Sequence, residues 1–189
     1  MALAAFSSVD ATSLRWLRGR DDPLEFALLS GDQALASLSW SGTGRTLATA
    51  RVAGATWTLK RVGFLNPHVT VRAEGASTDL ARLTVHFNYH RIELAGGRAF
   101  RFHRAGVLVP AWKVTDEAGR ELLHIEPVRD GQKLVGGAVI APKEATLTPD
   151  FPLLVVVSWY FIVLAWFEDE MLTPLEGADA PASPDHATT

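Results

Sequence analysis

FPLLVVVSWYFIVLAWF, from Phe151 to Phe167, contains no charged residue, and only Pro152 and Ser158 interrupt its apolar run. Left in water, such a segment would cost more than a domain's net stability, at roughly 25 cal/mol per Å² of apolar surface. Strands usually run about 5–6 residues, and this stretch is three times that, so its length predicts a helix. The β-branched block Val155-Val156-Val157 opposes that reading on propensity. The start signals favour it: Asp150 is placed to cap, and Phe151 and Pro152 fall in the first turn, where proline is tolerated. The next strong stop is Pro174, so the helix is expected over about 151–172, with Glu168-Asp169-Glu170 marking its exit into solvent.

A helix apolar on every side is enclosed by protein or spans a membrane. A span needs about 20 apolar residues, with a lower range near 17. Spanning helices carry Lys or Arg on the cytoplasmic flank and aromatic residues at the interfaces. Here no Lys or Arg follows Phe167, the nearest preceding cation is Lys143, and Trp159 and Tyr160 lie mid-run. The sequence therefore favours a helix buried within its own domain over a transmembrane segment.

The 189 residues are 48% hydrophobic, suited to one globular domain with a tail. The absence of cysteine excludes disulfides, thiol catalysis and cysteine-ligated zinc, and fits a reducing compartment. MALAAFSSVD lacks a basic n-region and a sustained apolar stretch, so no signal peptide is expected. Localisation is expected to be cytoplasmic, with peripheral membrane association as a possible extension. The net charge of −3 hides an asymmetry: six acids and no Lys or Arg lie in 168–189, leaving 18 bases against 15 acids in 1–167. Residues 174–189 are expected to form a disordered acidic tail, and 10–173 the folded domain.

Between Leu14 and Ile140 the chain alternates short runs with turn residues. Strands are expected at Leu14–Arg18, Leu24–Ser30, Gln33–Trp40, Thr46–Val52, Thr56–Val62 and His68–Ala73. Six more follow at Leu80–Phe87, Arg91–Leu94, Ala99–His103, Val109–Thr115, Glu121–Glu126 and Lys133–Ile140. Phe100-Arg101-Phe102-His103 shows the period of two most clearly. The resulting fold class is mainly β: about twelve antiparallel strands closed into a barrel, which removes exposed edges, around one hydrophobic C-terminal helix.

That order of elements, together with the strand–turn–strand Trp112-Lys113-Val114-Thr115-Asp116-Glu117-Ala118-Gly119-Arg120-Glu121-Leu122-Leu123-His124-Ile125, resembles the tubby-like superfamily. This group comprises tubby C-terminal domains, LURP-one-related proteins and phospholipid scramblases. The resemblance covers about residues 10–172 and implies a twelve-stranded barrel threaded by its C-terminal helix. It also implies phosphoinositide binding through basic residues, although no individual residue carries over.

No phosphate loop, GxSxG elbow or HExxH motif occurs, and no enzyme, cofactor or metal is expected. His86 and His90 would lie roughly 13 Å apart on a strand, too far to share an ion. Asp21-Asp22 and Asp116-Glu117 read as turn acids, and Ser158 as a hydroxyl bonded to a preceding helix carbonyl. The distinctive surface signal is basic: Arg82, Arg91, Arg98, Arg101 and Arg104, with His86, His90 and His103, against the single acid Glu93. Arginine forks bind phosphate bidentately. Arg91, Arg98, Arg101 and Arg104 flank the Gly96-Gly97 turn and are expected to gather there as an anion site. Lys60, Arg61 and Arg72 form a smaller group about Asn66-Pro67. A pI near 6.1 argues against nucleic acid. The expected function is a non-enzymatic domain binding anionic phospholipid headgroups. The alternatives are a structural or protein-interaction domain without a small ligand, or a C-terminally anchored scramblase-like protein.

Overall fold

The structure, a computed structural model, describes residues 2–41, 45–63, 65–106 and 111–172, with side chains to Glu168 in the last helix. Twelve strands follow in order: β1 (Ser13–Arg18), β2 (Glu25–Ser30), β3 (Gln33–Ser41), β4 (Leu47–Val52), β5 (Ala55–Val62) and β6 (His68–Ala73). They continue with β7 (Ala81–Val85), β8 (His90–Leu94), β9 (Ala99–Ala105), β10 (Ala111–Thr115), β11 (Glu121–Asp130) and β12 (Lys133–Ile140). A short helix α1 (Lys143–Thr146) leads into α2 (Phe151–Leu172). Each strand pairs antiparallel with the next, and β1 meets β12 from Ser13↔Ile140 to Leu17↔Gly136, closing the barrel. The expected tail, 174–189, and the expected start of the tenth strand at Val109 lie outside the described residues.

Alternation supplies the lumen. Trp16, Phe26, Leu38, Ala50, Leu59, Val71, Leu83, Ile92, Phe102, Val114, Ile125 and Val139, one from each strand, share a single buried core with α2. In α2, Leu154 to Tyr160 are buried without a break, so every face of the helix meets the barrel wall. This enclosure explains how a β-branched run becomes helical: burial on all sides outweighs propensity differences of at most about 0.7 kcal/mol per residue. The apolar window Phe151–Glu168 is long enough to cross a membrane, and 72% of it is buried inside the barrel.

Aromatic stacking fixes the rotation of the helix. Trp159 lies parallel to Trp16 at 5.6 Å, Tyr160 lies parallel to Trp40 at 5.6 Å, and Phe26 is edge-on to both Trp40 and Trp159. The wall makes room at Gly137, where an added Cβ would stand 2.6 Å from the Trp159 ring. Glycine in a strand interior commonly marks such an approach.

The barrel has two unlike rims. At the helix-start rim, Phe6 sets its ring edge-on to Phe151 at 6.0 Å. There Arg98 donates to both carboxylate oxygens of Asp150, at 2.7 and 2.6 Å. Asp150, expected as a helix cap, thus directs its carboxylate to the β8–β9 turn instead. At the helix-end rim, Trp166 Nε1 donates to the Gln132 carbonyl at 2.9 Å, and Glu168 pairs with Arg61. Between them, Tyr160 Oη donates to the Thr46 carbonyl and accepts from the Arg61 backbone N–H at 3.1 Å. Burial pushes the Tyr160 hydroxyl pKa well up, so it remains a donor. Ser158 is fully buried, but its Oγ has no partner among the described residues, contrary to the carbonyl bond expected from sequence.

Candidate functional site

The expected arginine cluster does not form. Arg91 and Arg101 are direct cross-strand partners on the outer wall. Like charges so placed repel, and each is satisfied locally. Arg91 donates to Glu93 at 2.7 Å and has Glu117 at 3.8 Å, while Arg101 lies 5.5 Å from the Tyr89 ring. The hydrogen bond to Glu93 raises the Arg91 pKa further. Arg98 sits at the turn itself, bound to Asp150. Arg104 is six residues along β9, about 20 Å from Arg98 at roughly 3.3 Å per residue, toward the other rim. Proximity in sequence to Gly96-Gly97 was misleading because strands carry successive residues away from their turn. The acids that occupy Arg91 come from its own strand, Glu93, and from the β10–β11 turn, Glu117, and the acid on Arg98 comes from the start of α2.

The other candidates are also placed. Arg72 pairs with Asp79 at 2.7 Å and Arg61 with Glu168, so the smaller basic group is dispersed. Asp116 is a turn acid. It accepts from the backbone N–H of Ala118 and Arg120, each at 2.9 Å, and pairs with Arg120 Nε at 2.7 Å. The Arg120 backbone bond leads the causes that lower its pKa. His86 stacks on Tyr89 at 4.8 Å, and His90 packs on Phe161 at 4.3 Å. Burial, with a smaller contribution from His86, lowers the His90 pKa to about 4. His90 is therefore neutral at physiological pH and supplies no cation.

Arg104 has a different environment. Arg104 follows Phe100 and Phe102 on one side of β9, opposite Trp112 on β10, but it is exposed where the strand reaches the rim. A register shift in β11 between Val128 and Arg129 re-aims the next residues, as such irregularities do. The two arginines meet in a cavity of about 200 Å³ between α2 and β9–β12, walled by Trp112, Trp166 and Ile162. Neither forms an ion pair with a described carboxylate. A third guanidinium, that of Arg18, lies 5.0 Å from the Trp166 ring. Sequence reasoning ended β9 at His103 and β11 at Glu126, and so missed this pairing. Extending the Phe100–Phe102 alternation by one step sets Arg104 on the same side of the strand, at the rim.

Two larger depressions lie at the helix-start rim. One, of about 610 Å³, runs between Phe6, Trp57 and Leu147; its carboxylate, Asp150, is taken by Arg98. The other, about 660 Å³, is open and shallow between Leu3, Arg51 and Glu74. Among the described residues, no group of three His, Asp or Glu could hold a metal.

Comparison with models of protein families, with curated proteins and with solved structures found no match.

Proposed function

We propose that this protein is a non-enzymatic, tubby-like barrel that binds an anionic phospholipid headgroup, with the site in the cavity of Arg104 and Arg129. The observation that carries this reading is the pair of arginines in one aromatic-walled cavity, without acidic partners among the described residues. Guanidinium forks hold phosphate oxygens in two parallel bonds, and the tryptophan faces accept the apolar part of a ligand or an approaching cation. The order of elements, twelve strands and then an enclosed helix, supports the tubby-like assignment. The expected partners are phospholipids at a cytoplasmic membrane surface, reached by a peripheral protein. A scramblase-like anchor fits less well, because the helix that would span a membrane lies in the lumen.

A second reading, a protein-interaction domain, is favoured by one feature: the groove between Phe6, Trp57 and Leu147 at the opposite rim, whose one lining carboxylate, Asp150, is paired with Arg98, suits an apolar peptide.

Titration with a water-soluble inositol trisphosphate, followed by tryptophan fluorescence and calorimetry, tests the first reading. The wild type should bind, and Arg104→Ala/Arg129→Ala should weaken binding at least tenfold. Affinity should fall with salt, since charges are screened within about 8 Å at physiological ionic strength. No heat and no quenching at low salt would remove the headgroup reading and leave the groove.

A further inference from the structure

Side chains that none of the described residues covers stand on the helix-end rim. Phe87 is 100% exposed and Leu65 is 94% exposed, with Val85 partly exposed beside them. They belong to neighbouring hairpins, β5–β6 and β7–β8, joined through the β6–β7 ladder. At about 4.8 Å between strands, the two tips lie roughly 10 Å apart.

Both tips are held in shape. In β5–β6, Gly63 has φ 84, and a Cβ there would strike the Asn66 carbonyl at 2.6 Å, so the tight turn requires glycine. His68 Nδ1 then donates to the Asn66 carbonyl at 3.2 Å while its Nε2 accepts from Arg82 at 2.8 Å. In β7–β8, the His86 backbone N–H donates to the Tyr89 carbonyl at 2.9 Å and the two rings stack, leaving Phe87 at the apex. An isolated exposed apolar side chain needs no explanation, but two ordered tips on adjacent hairpins form a surface feature.

The two hairpins themselves carry charge of one sign, although Arg91 is paired with Glu93 and Glu117. Residues 60–69 and 82–91, which carry these two hairpins, contain Lys60, Arg61, Arg82 and Arg91 and no Asp or Glu. Among the described residues, Glu168 reaches this side of the rim and is paired with Arg61. The β1–β2 connection, across the barrel, carries Asp21 and Asp22 instead. Apolar tips backed by cations on half a rim complement an interface that is apolar within and anionic at its surface.

We propose that Leu65 and Phe87 insert into an anionic phospholipid bilayer, docking the barrel by this half of its helix-end rim. The inference rests on the headgroup reading only for the choice of lipid, and it assigns a separate set of residues. In this orientation Asp21 and Asp22, in the β1–β2 connection across the barrel, lie away from the bilayer.

The chain has no cysteine, so Phe87→Cys carries a single environment-sensitive fluorophore, with Asp32→Cys in the β2–β3 turn at the opposite rim as the control. The labelled proteins are mixed with phosphatidylcholine vesicles with and without 30% phosphatidylserine, at low and physiological salt. With anionic vesicles, the label at 87 should shift to the blue while that at 32 stays unchanged. Leu65→Ser/Phe87→Ser should partition at least tenfold less, with unchanged melting temperature and unchanged inositol trisphosphate binding. Arg104→Ala/Arg129→Ala should lose the soluble ligand yet still report insertion at 87, so the two proposals fail separately. No binding to anionic vesicles at low salt, or binding that leaves the label at 87 in water, would overturn docking. So would a dimer in light scattering that Leu65→Ser/Phe87→Ser converts to monomer, since the tips would then be covered by a second copy.

Discussion

His90 joins packing to pH response in a single side chain. Its ring lies against Phe161 at 4.3 Å and near Trp112 at 6.0 Å, and its Nδ1 has no hydrogen-bond partner among the described residues. Burial holds its pKa at about 4, against an ordinary value of 6.5. The unfolded chain therefore binds this proton before the folded one does. The contribution of neutral His90 to stability is complete above pH 6.5 and is lost as the pH falls through the window toward 4. The full shift would be worth about 3 kcal/mol, and partial exposure of the ring reduces the expected loss to about 1–2 kcal/mol. His90→Phe should remove that component. Urea unfolding of both proteins at pH 7 and pH 4.5 is expected to show a smaller loss for the variant. Equal losses would mean that the ring is hydrated in the folded state. Nothing in HFNYH reveals this environment, because the partners Trp112 and Phe161 come from β10 and α2.

Most of the architecture was legible because α2 and the strands follow rules of period and length. His68–Ala73 and Lys133–Ile140 match the expected bounds residue for residue, and α2 spans the expected range. Strand ends were less legible where no turn residue marks them: β9 continues to Ala105 and β11 to Asp130. Those extensions carry Arg104 and Arg129, so the candidate site lay in the least readable positions. The helix carries the strongest prediction for an element. Val156 is fully buried, and Val156→Asp would place an unpaired charge in the lumen, at a cost that typically exceeds what a domain can absorb. The variant should be insoluble or lack the near-ultraviolet circular dichroism of the stacked Trp16–Trp159 and Trp40–Tyr160 pairs. A chain ending at residue 150 should behave likewise. A folded, soluble Val156→Asp protein with an intact aromatic spectrum would show that α2 does not complete the core.

The two rims of the barrel differ in what they present. Its helix-start rim is sealed by Phe6 and by the Arg98–Asp150 pair, whereas its helix-end rim brings Arg104 and Arg129 to one cavity and sets Leu65 and Phe87 outward on the β5–β8 side. Formal charge alone did not separate the rims, since the outer-wall arginines Arg91 and Arg98 are as prominent in sequence as Arg104 and yet are matched by acids. Tryptophan placement allows both ends to be read at once. Trp112 and Trp166 line the helix-end cavity, Trp57 lines the helix-start groove, and Trp16, Trp40 and Trp159 lie in the core. The decisive measurement is the ¹H–¹⁵N spectrum of the six indole groups, assigned by single Trp→Phe substitutions, during titration with inositol trisphosphate at low salt. Saturable shifts at Trp112 and Trp166 with Trp57 unmoved are expected; shifts at Trp57 while Trp112 and Trp166 stay fixed would contradict a headgroup site in the Arg104–Arg129 cavity.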